Sequence, residues 1–258
     1  MQEWLSLLIL AVVQGVTEWL PISSSGHLVL VEWMLNYDAS LEFEVALHLG
    51  TLMAMFVYFG RDITNILEDF LRGKWKTESG RMGWLLIVAT APAVFAGYFF
   101  YDFFESTFSN MGSLVLGFAI TSVLLVIASL DFKHHRTIIS YSDALILGCV
   151  QAIAILPSIS RSGATIAVAL LLGLPEKTAV RFSFLMAVPA LLGAGMLALN
   201  KATLPSSFIL PTLISFATAL LVVHVLYTSL LRHKRNLRWF ALYSFILAVA
   251  ILVWLFFF

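Results

Sequence analysis

Glu18 is a carboxylate, His27 an imidazole and Arg161 a guanidinium, and all three interrupt stretches apolar enough for a membrane interior. A charged side chain at that depth costs about 2.5–3.5 kcal/mol on insertion scales, so each marks a functional site by default. Gln14 and Glu18 are four residues apart, which on a helix puts both on one face and aims their oxygens at one ligand. Ser23, Ser24 and Ser25 offer hydroxyls and can cap a following half-helix, whose first amides favour a phosphate oxygen. Beside them His27 can serve as acid, base or nucleophile near neutral pH. Arg161 stands between Ser160 and Ser162, where its planar fork can grip two phosphate oxygens at once, with Thr165 adding a further hydroxyl. Pro21 ends the first helix, and Gly26 is expected to provide the tight return. The chemistry suggested is recognition of an anionic headgroup inside a membrane.

These residues fall in two copies of one pattern. The segment from Gln14 to His27 reads QGVTEWLPISSSGH, and that from Gln151 to Thr165 reads QAIAILPSISRSGAT. Placing Ser23 to Gly26 over Ser160 to Gly163 brings Gln14 over Gln151 without a gap. The first copy supplies the acid and the imidazole, the second the guanidinium. Of the other conspicuous residues, His48 can pack or line the same cavity. Glu44 can add an acid or sit at the interface.

The elements that position these groups are membrane helices. The chain is 60% hydrophobic and 12% charged, against roughly a quarter charged in soluble domains. Its formal net charge is zero, which gives no basis for attraction to nucleic acid. Its single cysteine, Cys149, excludes an intrachain disulfide and a thiolate metal cluster. The N-terminal apolar run lacks a basic leader region and is expected to stay on the mature protein. Six runs are long enough to cross a bilayer: Phe43 to Gly60, Gly83 to Tyr101, Met111 to Leu130, Phe182 to Leu199, Phe208 to Leu231 and Leu237 to Phe258. Two more, Trp4 to Leu35 and Ala144 to Leu174, are split by the Pro/Ser/Gly breaks into pieces too short to cross, and so are expected to enter and return.

Lys and Arg set the orientation. Arg61, Arg72, Lys74, Lys76 and Arg81, then Lys133 and Arg136, then Arg232, Lys234, Arg235 and Arg238 mark three cytoplasmic connections. Acidic turns around Asp38 and Glu42, and around Asp102 and Glu105, belong outside. With six crossings, this requires the first split region to dip from outside and the second from the cytoplasm, with both termini outside. The expected fold is therefore an all-α polytopic membrane protein, one domain over 1–258. It is an inverted-topology repeat, about 1–131 and about 141–258, with six transmembrane helices and two re-entrant helix pairs. Such folds place polar sites near the midplane, where broken helices meet.

The two motifs, together with FEVALHLGTLMA from Phe43 and FSFLMAVP from Phe182, resemble the undecaprenyl-diphosphate phosphatases of the bacitracin-resistance family over the whole chain. The resemblance implies hydrolysis of a C55 polyprenyl diphosphate to the monophosphate carrier for peptidoglycan synthesis. It also implies a multi-pass protein of the bacterial inner membrane, with the active site open to the outer side. It carries an acidic E/Q-x-x-x-E pattern onto Gln14 and Glu18, a Ser and a His onto Ser24 and His27, and a P-G-x-S-R-S-x-x-T pattern onto Pro157 to Thr165. Ser158 stands where that pattern has glycine, and Gln14 is the uncharged option. On this reading Glu18, assisted by Gln14, holds Mg²⁺ or Ca²⁺ while substrate phosphates complete its shell. Arg161 clamps the phosphoryl group, with Ser23, Ser25, Ser160, Ser162 and Thr165 as further contacts. Either Ser24 or His27 attacks phosphorus or activates the nucleophile. A homodimer is an admissible assembly. The competing class is a transporter or flippase of a phosphorylated polyprenyl lipid, since inverted repeats with midplane anion sites also equip transporters.

Overall fold

A computed structural model describes residues 2–100, 103–104, 107, 111–130, 136, 138–199, 204–228 and 233–257. The described residues form helices and turns, with no strand. The helices are α1 (Gln2–Thr17), α2 (Ser24–Leu35), α3 (Leu41–Tyr58), α4 (Gly60–Leu71), α5 (Glu78–Phe99), α6 (Met111–Ser129), α7 (Tyr141–Ile153), α8 (Arg161–Leu171), α9 (Glu176–Leu199), α10 (Ile209–Thr228) and α11 (Leu237–Phe257). Among the described residues six helices are long and apolar enough to cross a membrane: α3, α5, α6, α9, α10 and α11. The turns around Asp102 and Glu105, with Lys133 and Arg232, lie outside the described residues.

The helix starts are written in hydroxyls. Ser40, Thr77 and Ser160 accept from the amides of Phe43, Gly80 and Gly163 at 3.3, 3.0 and 3.1 Å, each satisfying a donor that the first helical turn leaves over. Ser140 and Asp143 close a reciprocal capping box at the start of α7. Asp143 is also paired with Arg136 at 2.6 Å. Burial would raise its carboxyl, but the Ser140 and Arg136 hydrogen bonds outweigh burial and hold it below the ordinary carboxylate range. The connection after α3, marked in sequence only by its basic residues, folds into α4, which buries Ile66 and exposes Leu67 and Leu71. Spans α5 and α9 begin about a turn before their apolar runs, because Thr77 caps the first and Glu176 opens the second.

Contacts arrange the helices end to end. Arg181 of α9 reaches Asp62 of α4 at 2.7 Å and Glu78 of α5 at 3.5 Å, and Arg81 donates to the Ile139 carbonyl at 2.5 Å. The Arg136 amide bonds the Gly173 carbonyl at 3.3 Å, bringing the beginning of α7 beside the end of α8 at this same basic end. At the opposite end Phe43 packs on Phe208 (5.1 Å between ring centroids) and Trp33, near the end of α2, on Trp254 (4.3 Å). Leu7 of α1 joins the Phe43 cluster there. The α1–α2 and α7–α8 hairpins thus open at opposite ends of the bundle and bring their breaks together inside it. The larger core lies between them and the spans, around Trp19, Phe59, Ile166, Phe182 and Phe184.

Candidate active site

Glu18 and Arg161, 143 residues apart, form an ion pair at 2.8 Å between Oε1 and Nη2, with Glu18 almost fully buried. Glu18 Oε2 accepts from the Ser24 hydroxyl at 2.6 Å and from Gln14 Nε2 at 2.9 Å. The i to i+4 spacing of Gln14 and Glu18 survives because the Glu18 amide still bonds the Gln14 carbonyl at 3.0 Å, one residue beyond the last assigned residue of α1. His48 of α3 closes the group: its Nδ1 lies 2.8 Å from Gln14 Nε2 and 3.5 Å from Glu18 Oε2. Four helices, α1, α2, α3 and α8, thus meet on one carboxylate.

Arg161 is held from below. Its guanidinium lies 5.1 Å over the ring of Trp19, a buried residue that donates to the Thr51 carbonyl at 3.3 Å and meets Phe184 edge-on. Among the described residues its hydrogen bond to a carboxylate is the one from Nη2 to Glu18, and the other N–H groups of the fork are the donors an anion would use.

The two breaks are built alike and pack on each other. Ser23 accepts from the Gly26 amide at 3.4 Å and Ser160 from Gly163 at 3.1 Å. The Ser23–Ser25 and Ser160–Ser162 hydroxyl pairs are both 3.3 Å apart. A Cβ on Gly26 would sit 2.6 Å from Phe118 and from the Ser158 hydroxyl, and one on Gly163 would meet Pro21 at 3.2 Å. Gly26 therefore serves close packing rather than the turn. The turn itself is carried by serines in left-handed backbone: Ser23 at φ 69° and Ser158 at φ 63°. Ser158 holds the conformation that the resemblance assigns to glycine, at a cost of order 1–3 kcal/mol. Thr121 of α6 ties that break down, accepting from the Ser160 amide at 2.9 Å and donating to the Ser158 carbonyl at 3.2 Å.

The remaining hydroxyls have protein partners. Ser162 donates to the Leu20 carbonyl at 2.9 Å, and Thr165 to the Arg161 carbonyl at 2.7 Å while touching Ser183 at 2.5 Å. The Ser25 hydroxyl meets that of Ser23. Both ring nitrogens of His27 are occupied, by the Ser23 carbonyl at 2.6 Å and Tyr243 of α11 at 2.7 Å. Tyr243, Trp19 and Thr121 escaped sequence reasoning. A phenol within a membrane span needs a hydrogen-bond partner, and that was the available signal for Tyr243.

The arrangement suits phosphoryl chemistry. A hydroxyl lies on a carboxylate that can take its proton, beside a guanidinium that can hold the charge on phosphorus, with two helix N-termini converging on the same place. For a divalent cation the donors are the Glu18 carboxylate, the Ser24 hydroxyl and Gln14 Oε1, which is buried without a hydrogen-bond partner. Oxygen donors with one carboxylate fit Mg²⁺ or Ca²⁺ when phosphate oxygens complete the shell. No group of three or more His, Cys, Asp or Glu occurs among the described residues as a self-sufficient metal cage.

Comparison with known proteins gives the family. The family model described as Bacitracin resistance protein BacA matches residues 7–250. Proteins named undecaprenyl-diphosphatase are similar along nearly their whole lengths. That of Desulforudis audaxviator is 39% identical, covering 95% of each chain. That of Chromohalobacter salexigens is 38% identical over 98% of this chain and 99% of its own. That of Methanococcus maripaludis is 38% identical over 96% and 99%.

Proposed function

The chain belongs to the bacitracin resistance protein BacA family, and from that premise we propose that it hydrolyses undecaprenyl diphosphate to undecaprenyl phosphate and inorganic phosphate. This would return the carrier lipid to cell-wall synthesis and confer bacitracin resistance. The observation that carries the reading is the Ser24–Glu18–Arg161 constellation, in which hydroxyl, carboxylate and guanidinium lie within 2.6 and 2.8 Å of one another in series.

In the mechanism we infer, Glu18 Oε2 takes the Ser24 proton as Oγ attacks the terminal phosphorus. The bond to the bridging oxygen breaks, the polyprenyl monophosphate leaves with its electron pair, and a phosphoserine remains. Water then attacks that phosphorus as Glu18 returns its proton to the departing Ser24 Oγ, and the water's two protons leave on the inorganic phosphate. Arg161 keeps its remaining N–H donors on the phosphoryl oxygens throughout, and the amides opening α2 and α8 add partial positive charge. Glu18 and Gln14 Oε1 would hold the divalent cation, which would neutralise charge on the diphosphate. Ser24 is preferred over His27 as nucleophile because its hydroxyl faces a base, whereas both nitrogens of His27 are engaged elsewhere.

The same reading takes the molecule as an inverted repeat with α1–α2 and α7–α8 as re-entrant pairs. Exchanged contacts support it: α1 packs on α10 as α7 packs on α5, α3 on α10 as α9 on α5, and α6 pairs with α11. It places the protein in the inner membrane with the mouth of α1–α2 facing out. The mass of the detergent-solubilised protein tests the homodimer.

The deciding experiment is phosphate release from C55 and C15 diphosphates by purified protein in detergent, with and without chelator, comparing wild type with Ser24→Ala and His27→Ala. Turnover without a membrane gradient, abolished in Ser24→Ala and reduced by chelator, is expected. Lipid binding with no phosphate release would favour transport instead.

A further inference from the structure

His27 is fixed from both sides of its ring. Nδ1 lies 2.6 Å from the Ser23 carbonyl oxygen, which can only accept, so Nδ1 carries the proton. In the neutral ring Nε2 is then the acceptor, and Tyr243 Oη, 2.7 Å away, donates to it. The two rings lie nearly parallel, 6° between planes with centroids 5.6 Å apart, and Phe118 meets the imidazole edge-on at 5.6 Å. Rotating the imidazole would break both hydrogen bonds and the stack. Neither nitrogen is directed at Ser24, whose hydroxyl goes to Glu18.

The group that His27 holds is the strained one. Ser23 is the N-cap of α2 at φ 69° and ψ 103°, a combination that side-chain-bearing residues rarely adopt, and the next residue is Ser24. The His27 backbone amide also reaches that carbonyl, but at 3.4 Å against 2.6 Å for the imidazole; with the shorter bond gone the Ser23 linkage can relax, turning the start of α2 and carrying the Ser24 hydroxyl away from Glu18 Oε2. The Ser23 carbonyl, an acceptor only, sets the tautomer with hydrogen on Nδ1, and the bond from Tyr243 to Nε2 holds the ring in the orientation in which that hydrogen reaches the carbonyl. Tyr243 sits on α11, remote in sequence and 41% exposed, with its phenol oxygen turned inward to a buried partner.

We propose that Tyr243 is a positioning residue for the phosphoryl transfer: through His27 it fixes the Ser23 linkage and with it the place of the Ser24 hydroxyl. The inference rests on the phosphatase reading above. His27 acts here by holding backbone, and its proton on Nδ1 stays where it is through the reaction.

The test is a set of full-length variants in detergent, assayed for phosphate release from C15 diphosphate at equal folded protein: Tyr243→Phe, His27→Leu, His27→Asn, and the pair His27→Asn with Tyr243→Phe. Asn can place an amide donor where Nδ1–H stands but offers nothing to Tyr243. Tyr243→Phe should lower kcat about ten-fold with KM unchanged, since a small misplacement of a reacting group has effects of that size. His27→Asn should exceed His27→Leu by about ten-fold for the same reason, and adding Tyr243→Phe to His27→Asn should cost nothing more. The proposal is overturned if Tyr243→Phe turns over like wild type. It is also overturned if His27→Asn is as inactive as His27→Leu, which would make the imidazole itself chemical, or if the Tyr243→Phe loss recurs in the His27→Asn background. If Tyr243→Phe fails to fold, the Asn–Leu comparison still decides. A wild type that releases no phosphate would instead sink the phosphatase reading.

Discussion

Substituting Arg161 perturbs two things at once, because its guanidinium both faces the phosphate site and neutralises buried Glu18 at 2.8 Å. Arg161→Ala leaves that carboxylate without its counter-ion, a destabilisation of about 3–5 kcal/mol for a broken buried pair. Arg161→Lys keeps the charge and loses the planar fork, so it should fold while losing about a hundred-fold or more in kcat, as expected when a charge-stabilising donor is removed. Rates within a few-fold of wild type in a folded Lys variant would remove Arg161 as the phosphate clamp. Ser158 makes a separate prediction. Its φ of 63° strains a side-chain-bearing residue, and its buried hydroxyl has no hydrogen-bond partner. Ser158→Gly should therefore raise thermal stability by about 0.5–1 kcal/mol, the relief of left-handed strain offset by glycine's greater unfolded-state freedom. An unchanged or lower melting temperature in detergent would show that the position is not strained. At this scale the sequence was most legible for charge: Glu18 and Arg161 stand out because a membrane interior excludes them. Hydroxyls were less legible, since a serine that caps a helix or feeds a carbonyl has the same letter as one that meets substrate. Ser160, Ser162 and Thr165 illustrate the point.

Between elements, glycine sets how closely the breaks can approach. Gly117 of α6 faces the Pro157 carbonyl, and a Cβ there would overlap backbone that cannot swing aside, whereas Gly26 faces the ends of two side chains. Gly117→Ala should cost about 1–3 kcal/mol of overpacking and displace the second break, lowering stability and turnover together. Gly97→Ala, where a Cβ would meet nothing within 4 Å, is the neutral comparison. Equal melting temperatures for the two variants would contradict close packing of α6 on the second break. Helix starts could be read from sequence because capping is local: Ser23 and Ser160 announce α2 and α8 within three residues. What escaped is what joins distant segments. Thr121 bonds the Ser160 amide across 39 residues, Tyr243 meets His27 across 216, and neither spacing carries a periodic signal. Helix α4 was hidden by its composition, since its charges read as a solvated loop until Ile66 is seen buried.

For the whole molecule, orientation follows from the distribution of charge. Arg81, Arg136 and Arg181 cluster at the end where α5, α7 and α9 begin, while Asp38 and Glu42 lie in the connection leading into α3 and at its start, at the end where Phe43 meets Phe208. Short basic connections are retained on the cytoplasmic side, so the basic end should face the cytoplasm and the mouth of the α1–α2 hairpin the exterior. The six spans were readable from length and hydropathy alone. The meeting of the hairpins could be argued only from the repeated motif, because nothing in either half by itself says that Glu18 will find Arg161. The prediction uses Cys149, the single cysteine, which is exposed and must first become Ser. In that background Asp38→Cys should react with a membrane-impermeant maleimide on intact cells, and Lys76→Cys only after the membrane is opened. The two positions differ in side but are both outside the long helices, so each should label fully once access is given. The reverse pattern would invert the protein and put the α1–α2 mouth on the cytoplasmic face. Labelling of both on intact cells would mean that the basic end is not retained inside. The reverse pattern alone would separate the site from the outer-leaflet substrate that the proposed reaction requires.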